Sequence, residues 1–157
     1  MTENNTELSY LLERRLCTIG YNLQQSVAQA ELIGEPFDYN KFLTETTNAI
    51  DLAIDKGVNI NNLFETSAIY CVLVGCMSAH MPLEVVDLRR DLIAHLISKG
   101  ADVNLGYFGG PIGPITPMQI AKAERYDDIV ELLEKNGTQK GSKTTKDKTT
   151  EQALERE

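Results

Sequence analysis

The sequence predicts an all-α solenoid of helix pairs with a divergent helical cap at its N-terminus, and three observations predict it. Two stretches are near-copies: Leu92-Ile93-Ala94-His95-Leu96-Ile97-Ser98-Lys99-Gly100-Ala101-Asp102-Val103-Asn104 and Ile50-Asp51-Leu52-Ala53-Ile54-Asp55-Lys56-Gly57-Val58-Asn59-Ile60-Asn61 each run an apolar helical stripe into Lys-Gly and close on Asn. A unit that recurs in this way, and cannot bury its apolar face alone, is the signature of stacked repeats. A third stretch supplies what precedes the stripe, a Thr116-Pro117 helix start followed by a second helix through Ile129, Val130, Leu132 and Leu133 to Gly137. Finally, the first thirty residues carry apolar side chains at a spacing near 3.6, the period of an amphipathic helix.

Taken in order, Leu8, Leu12, Leu16, Ile19, Leu23, Val27 and Ala30 predict one long helix, or two broken near Gly20. Gly34-Glu35-Pro36 interrupts the chain, and the next helix is expected from Tyr39 or Asn40 to Lys56, with Phe42, Leu43, Ile50 and Ile54 inward and Gly57 as its stop. Thr66 is placed to cap a helix to about Ala79 whose residues are apolar almost all round, so neighbours should cover most of it. Pro82 suits the first turn of another, with Val85, Val86, Leu88, Leu92, Ile93, Leu96 and Ile97 buried as far as Gly100. The segment 105–114 holds four glycines and two prolines, which suits a turned, extended finger. Two short helices are expected from Pro117 to about Arg125 and from Asp127 to about Asn136, capped by Thr116 and ended by Gly137. The expected organisation is a helical cap over 1–39, repeats over 40–137 and a disordered polar tail over 138–157, where almost nothing apolar offsets the entropy of ordering.

At 157 residues the chain is large enough to bury a core without disulfides or metal. Its net charge is −8; the last twenty residues hold five basic and four acidic ones, leaving ten basic and nineteen acidic on the first 137. A body this acidic repels phosphate backbones, so direct nucleic-acid binding is not expected, while a basic partner is compatible. No apolar run reaches the roughly 20 residues that cross a bilayer, and the N-terminus is polar, so no membrane role is expected. Three cysteines, Cys17, Cys71 and Cys76, lie in apolar helical patterns and point to reduced, buried thiols in the cytoplasm.

The Thr-Pro start, the second helix rich in Val and Leu, and the closing Gly100-Ala101-Asp102-Val103-Asn104 together resemble the ankyrin repeat. The closing motif matches that family residue for residue, and Thr116 to Gly137 spans 21 positions, as in a full unit. Thr66 to Gly100 spans 34, so the middle unit carries about 13 additional residues. Gln119 stands where the family has His, and Thr66-Ser67-Ala68-Ile69 keeps only the Thr of the opening motif. The likeness is greatest over 91–137, extends to 48–74, and is absent before residue 40 and after 138. It implies an ankyrin-like α-solenoid that recognises a protein partner through its concave face and fingers. The implied role is that of a non-catalytic adaptor or inhibitor, which short, irregular members of the family fill in pathogens, symbionts and phages.

On that face the expected contacts are Leu63 and Phe64 in one finger, Tyr107 and Phe108 in the next, and Tyr70 and Ile120 at equivalent positions of two first helices. Adjacent exposed aromatics bury large areas at small entropic cost and anchor interfaces. The opposing reading folds these side chains back as core, above all Phe64 and Tyr70 in the enlarged middle unit. Asp87, Asp91, Asp127, Asp128, Glu131 and Glu134 read as a solvated outer surface. The N-terminal seam either caps the stack or makes a homo-oligomer of coiled-coil type.

Little in the sequence points to chemistry. Cys71, Cys76, His80 and His95 outline a zinc site on paper, but positions five apart on a helix diverge by about 140°, and neither metal nor other cofactor is expected. Cys76, His80 and Glu84 are the nearest approach to a nucleophile with its base, and the chain is not expected to be an enzyme. Gly106, Gly109, Gly110 and Gly113 are followed by no Gly-Lys-Ser or Gly-Lys-Thr, so they do not form a phosphate loop. The alternatives are an acidic nucleic-acid mimic that blocks a basic nucleic-acid-binding protein, and a small metal-binding or hydrolytic protein.

Overall fold

The computed structural model describes residues 3–64, 66–77, 81–105 and 115–141. Among these, seven helices form: α1 Glu3–Cys17, α2 Ile19–Ile33, α3 Tyr39–Asp55, α4 Ala68–Gly75, α5 Glu84–Ser98, α6 Pro117–Ala123 and α7 Asp127–Gly141. The all-α expectation holds, and no described helix is long and apolar enough to cross a membrane. The chain divides into two compact units, residues 1–117 with α1 to α5 and residues 118–157 with α7 and most of α6.

In the first unit the N-terminal stretch breaks at Thr18, whose hydroxyl donates to the Arg14 carbonyl at 2.9 Å, so α1 and α2 are separate helices. Of the seam considered for self-association, Leu12, Leu16, Ile19 and Leu23 are buried here, and Leu8, Val27 and Ala30 are half-buried. Helix α4 lies at the centre, against α1, α2 and α5, as its nearly uniform apolar sequence demands; α3 packs on α1 and α5. Two glycines let α4 reach the α1–α2 bend. A Cβ on Gly75 would run into the Leu16 carbonyl oxygen, and one on Gly20 into the Gly75 carbonyl oxygen.

The duplicated motif folds twice in the same way. After α3, Gly57 takes φ +96 and Val58 N–H donates to the Ala53 carbonyl at 3.0 Å; after α5, Gly100 takes φ +98 and Ala101 N–H donates to the Leu96 carbonyl at 3.0 Å. A positive φ costs glycine nothing, which is why the motif carries it. In each turn the side chain two residues on, Asn59 or Asp102, accepts from the backbone N–H of Asn61 or Asn104 at 2.9 Å. Val58 and Ile60 in one turn, and Ala101 and Val103 in the other, are all buried. The two turns are joined: Asn61 Nδ2 donates to the Gly100 carbonyl at 3.3 Å, and Asn61 Oδ1 accepts from Asp102 N–H at 2.7 Å.

Several expectations are corrected. Helix α4 is capped by Ser67, whose Oγ accepts from Tyr70 N–H at 3.3 Å, rather than by Thr66. Thr66 belongs to the preceding turn, where its carbonyl accepts from Leu63 N–H at 2.9 Å. Helix α4 also ends at Gly75, short of Ala79, and Val86 on α5 is exposed.

In the second unit α6 ends at Ala123, and Arg125 makes the turn with φ +61 while Tyr126 N–H donates to the Ala121 carbonyl at 2.9 Å. Ala121, Ile129 and Leu133 are its buried residues. Gly137 does not end α7, which continues through Gly141.

Candidate protein-binding face

The segment between the first turn and α4 is pinned at three points. Ala68 N–H donates to the Ile60 carbonyl at 2.8 Å, Leu63 N–H closes the turn on Thr66, and Thr66 N–H donates to Glu13 Oε2 of α1 at 3.1 Å. This geometry turns Leu63 inward, where it is 4% exposed, and Phe64 outward, at 50%. Leu63 is therefore a core residue and not a contact residue. The expected Leu63–Phe64 pair splits, because the turn sends one side chain into the core and the other out of it.

Phe64 meets Tyr10 of α1 edge to face, with ring centroids 5.3 Å apart and planes at 73°. Both rings are largely open to solvent, Tyr10 at 43%. Along α4, the positions left uncovered are Tyr70, which is half-buried, and Val74 and Met77, which are exposed. Tyr70 and Val74, four apart, share one face of the helix, and Met77 lies just past its C-cap, where its N–H donates to the Val74 carbonyl at 3.3 Å. Helix α1 packs on α4, with Cys17 and Cys71 interacting between them. Sequence reasoning missed Tyr10, Val74 and Met77. The signal was available: Tyr10 falls off the Leu8, Leu12, Leu16 stripe, and Met77 lies one turn beyond Tyr70 and Val74.

Of the remaining expected contacts, Ile120 is half-buried on α6 in the second unit, and Tyr107 and Phe108 lie outside the described residues.

Behind the face, polar groups tie α3 to α5. Tyr39 Oη donates to Asp91 Oδ2 at 2.8 Å, His95 Nε2 lies 2.7 Å from Asp51 Oδ1, and Lys99 Nζ lies 3.7 Å from the same oxygen. Successive partners advance together along both helices, so α3 and α5 run parallel. Asp91 is thus a linking residue rather than part of a solvated surface; Asp128 likewise turns inward enough for Oδ1 to accept from Ile129 N–H at 2.9 Å. Burial and the Asp91 bond push the Tyr39 hydroxyl above the ordinary tyrosine range.

The thiols are arranged for packing. The hydrogen bond from Cys71 holds Cys17 below its usual value and, with burial, pushes Cys71 up; burial alone pushes Cys76 up to about 12. Protonated, buried thiols such as Cys71 and Cys76 are poor nucleophiles and poor ligands. Of the drawn zinc set, His95 is engaged with Asp51, His80 lies outside the described residues, and no three His, Cys, Asp or Glu side chains converge among the described residues.

No protein-family model matches the sequence, and the searches of curated proteins and of solved structures return no match.

Proposed function

We propose that the chain is a non-catalytic binding module, built from helix pairs repeated in the ankyrin manner, that holds a protein partner on the side of Tyr10, Phe64, Tyr70, Val74 and Met77. The observation that carries this reading is that apolar face. Four of its five residues are among the exposed large hydrophobic side chains of the described residues, and two of them, Tyr10 and Phe64, are held ring against ring. Rigid aromatic and thioether surface left open in this way is what interface anchors are made of.

The repeat part of the reading is supported by the twin turns, by the bonds that Asn61 makes from one to the other, and by the direct packing of α3 on α5. The resemblance separately offers Tyr107, Phe108 and Ile120 as contact residues. The module acts by occupancy, as adaptor or inhibitor, and its free thiols support a reducing, cytoplasmic setting. Full-length tagged protein passed through its native lysate should retain a partner. A Phe64→Ala, Val74→Asp variant should lose about tenfold or more of that retention while its thermal unfolding stays in place. Equal recovery by the variant would remove this face from the reading.

A further inference from the structure

A second apolar surface lies between α1 and α3. It is a groove of about 260 Å³, floored by Leu12 and Ala53 and walled by Leu8, Leu11 and Leu52, with small Ala49 leaving room inside. Leu11 and Leu52 are 50% and 57% exposed, so each offers half its surface to whatever enters. Cations stand at its ends. Gly57, just past the end of α3, lies against the Asn5 side chain in the first turns of α1, so the two helices run antiparallel. Arg15 therefore marks the end near Ala49, and Lys56 the end near Leu8. Leu8 and Arg15 are seven residues apart, so the two cations are separated by about 10 Å along the groove.

None of the lining residues is acidic, and neither Arg15 nor Lys56 takes part in an ion pair among the described residues. The cationic edge continues past Leu11, where Arg14 and Arg15 stand beside Tyr21 in an adjoining hollow. Glu45, one turn before Ala49, lines a separate depression with Lys41 and Phe42. On a chain of net charge −8, two unpaired cations bracketing an apolar trough select for the opposite sign.

We infer that the α1–α3 groove is a second docking site whose occupant is an acidic amphipathic helix of a partner protein, with leucine-like side chains in the trough and carboxylates about two turns apart on Arg15 and Lys56. A helix fits because the trough runs parallel to two helices, and helix-in-groove recognition reads anchors at that repeat. The site is independent of the α4 face and stands or falls separately.

The test uses the full chain and two labelled synthetic helical peptides that share one leucine stripe. One carries glutamates about seven residues apart beside the stripe, and the other carries lysines there. Fluorescence anisotropy should show the acidic peptide binding about tenfold or more tighter than the basic one, with the preference shrinking as salt rises. In Arg15→Glu, Lys56→Glu protein the preference should reverse, a gain that a misfolded variant cannot produce. Val74→Asp protein should bind the acidic peptide as the wild type does, which separates this site from the α4 face. Failure of the acidic peptide to bind, equal binding of the two peptides, or an unreversed preference in the double variant would each overturn the inference. So would a dimer in sedimentation that Leu52→Glu dissociates, because the groove would then belong to a second copy.

Discussion

Gly75 and Gly20 do at the residue scale what no other side chain could do, because the atoms that would meet a Cβ are backbone carbonyl oxygens held by helices on both sides. Overpacking against backbone cannot be relieved by a rotamer change, so Gly75→Ala should destabilise the fold by about 3 kcal/mol. For a domain of this size that lowers the melting temperature by roughly 6–12 °C. Gly34→Ala is the control: its φ is +75 but nothing lies within 4 Å of the added carbon, so only the cost of the left-handed conformation, about 1 kcal/mol, should appear. Equal melting losses in the two variants would show that the α4 crossing is looser than described. A second residue-scale consequence concerns Tyr39. Its folded-state pKa is raised, so the stabilisation from its bond to Asp91 is complete below the ordinary tyrosine value of about 10 and is lost as pH rises beyond it. Denaturant midpoints measured from pH 8 to 11 should fall more steeply for the wild type than for Tyr39→Phe, which has no such proton to lose.

Among the elements, the two helix stops were legible and the third was not, and the difference is physical. Lys-Gly followed by Val58 or Ala101 works as a stop because the next apolar residue folds back into the core and repays the left-handed turn. Gly137 is followed by Thr138, Gln139 and Lys140, which offer nothing to bury, and the helix continues. The cap of α4 was displaced by one residue for a similar reason: Thr66 and Ser67 are equal as local caps, and the bond from Ala68 N–H to Ile60, a tertiary contact, chose between them. The candidate face was legible in Phe64 and Tyr70; that Tyr10 is exposed could be read from its place off the apolar stripe, but its pairing with Phe64 joins residues 54 positions apart and has no local signal. Asn61 carries the coupling between the twin turns. Asn61→Ala removes two hydrogen bonds at a half-exposed position and should cost about 1–2 kcal/mol. Asn59→Ala breaks only a bond within its own turn, so hydrogen exchange should show Asn61→Ala alone deprotecting the Gly100–Asn104 amides.

At the largest scale, the position of α1 decides how stability is shared among α1 to α5. In a regular solenoid each unit contacts only its neighbours, and loss of a terminal element lowers stability in a graded way. Here the N-terminal helices enter the centre of their unit: Leu12, Leu16, Ile19 and Leu23 are buried, α1 is packed on both α3 and α4, and α2 reaches α4 as well. Burying four such side chains contributes roughly 6–12 kcal/mol, as large as the whole stability of a typical domain. A variant starting at Glu35 should therefore not form a smaller, weaker array but lose cooperative unfolding altogether, because α4 would expose the side that now faces α1 and α2. The sequence contains no tryptophan, so the measurement is far-ultraviolet circular dichroism on heating, with one sharp transition for the full chain and a shallow slope for the truncated one. A sharp transition in the truncated chain would mean that α3 to α5 fold alone, and that the N-terminal helices are a detachable cap of the sort the apolar spacing first suggested.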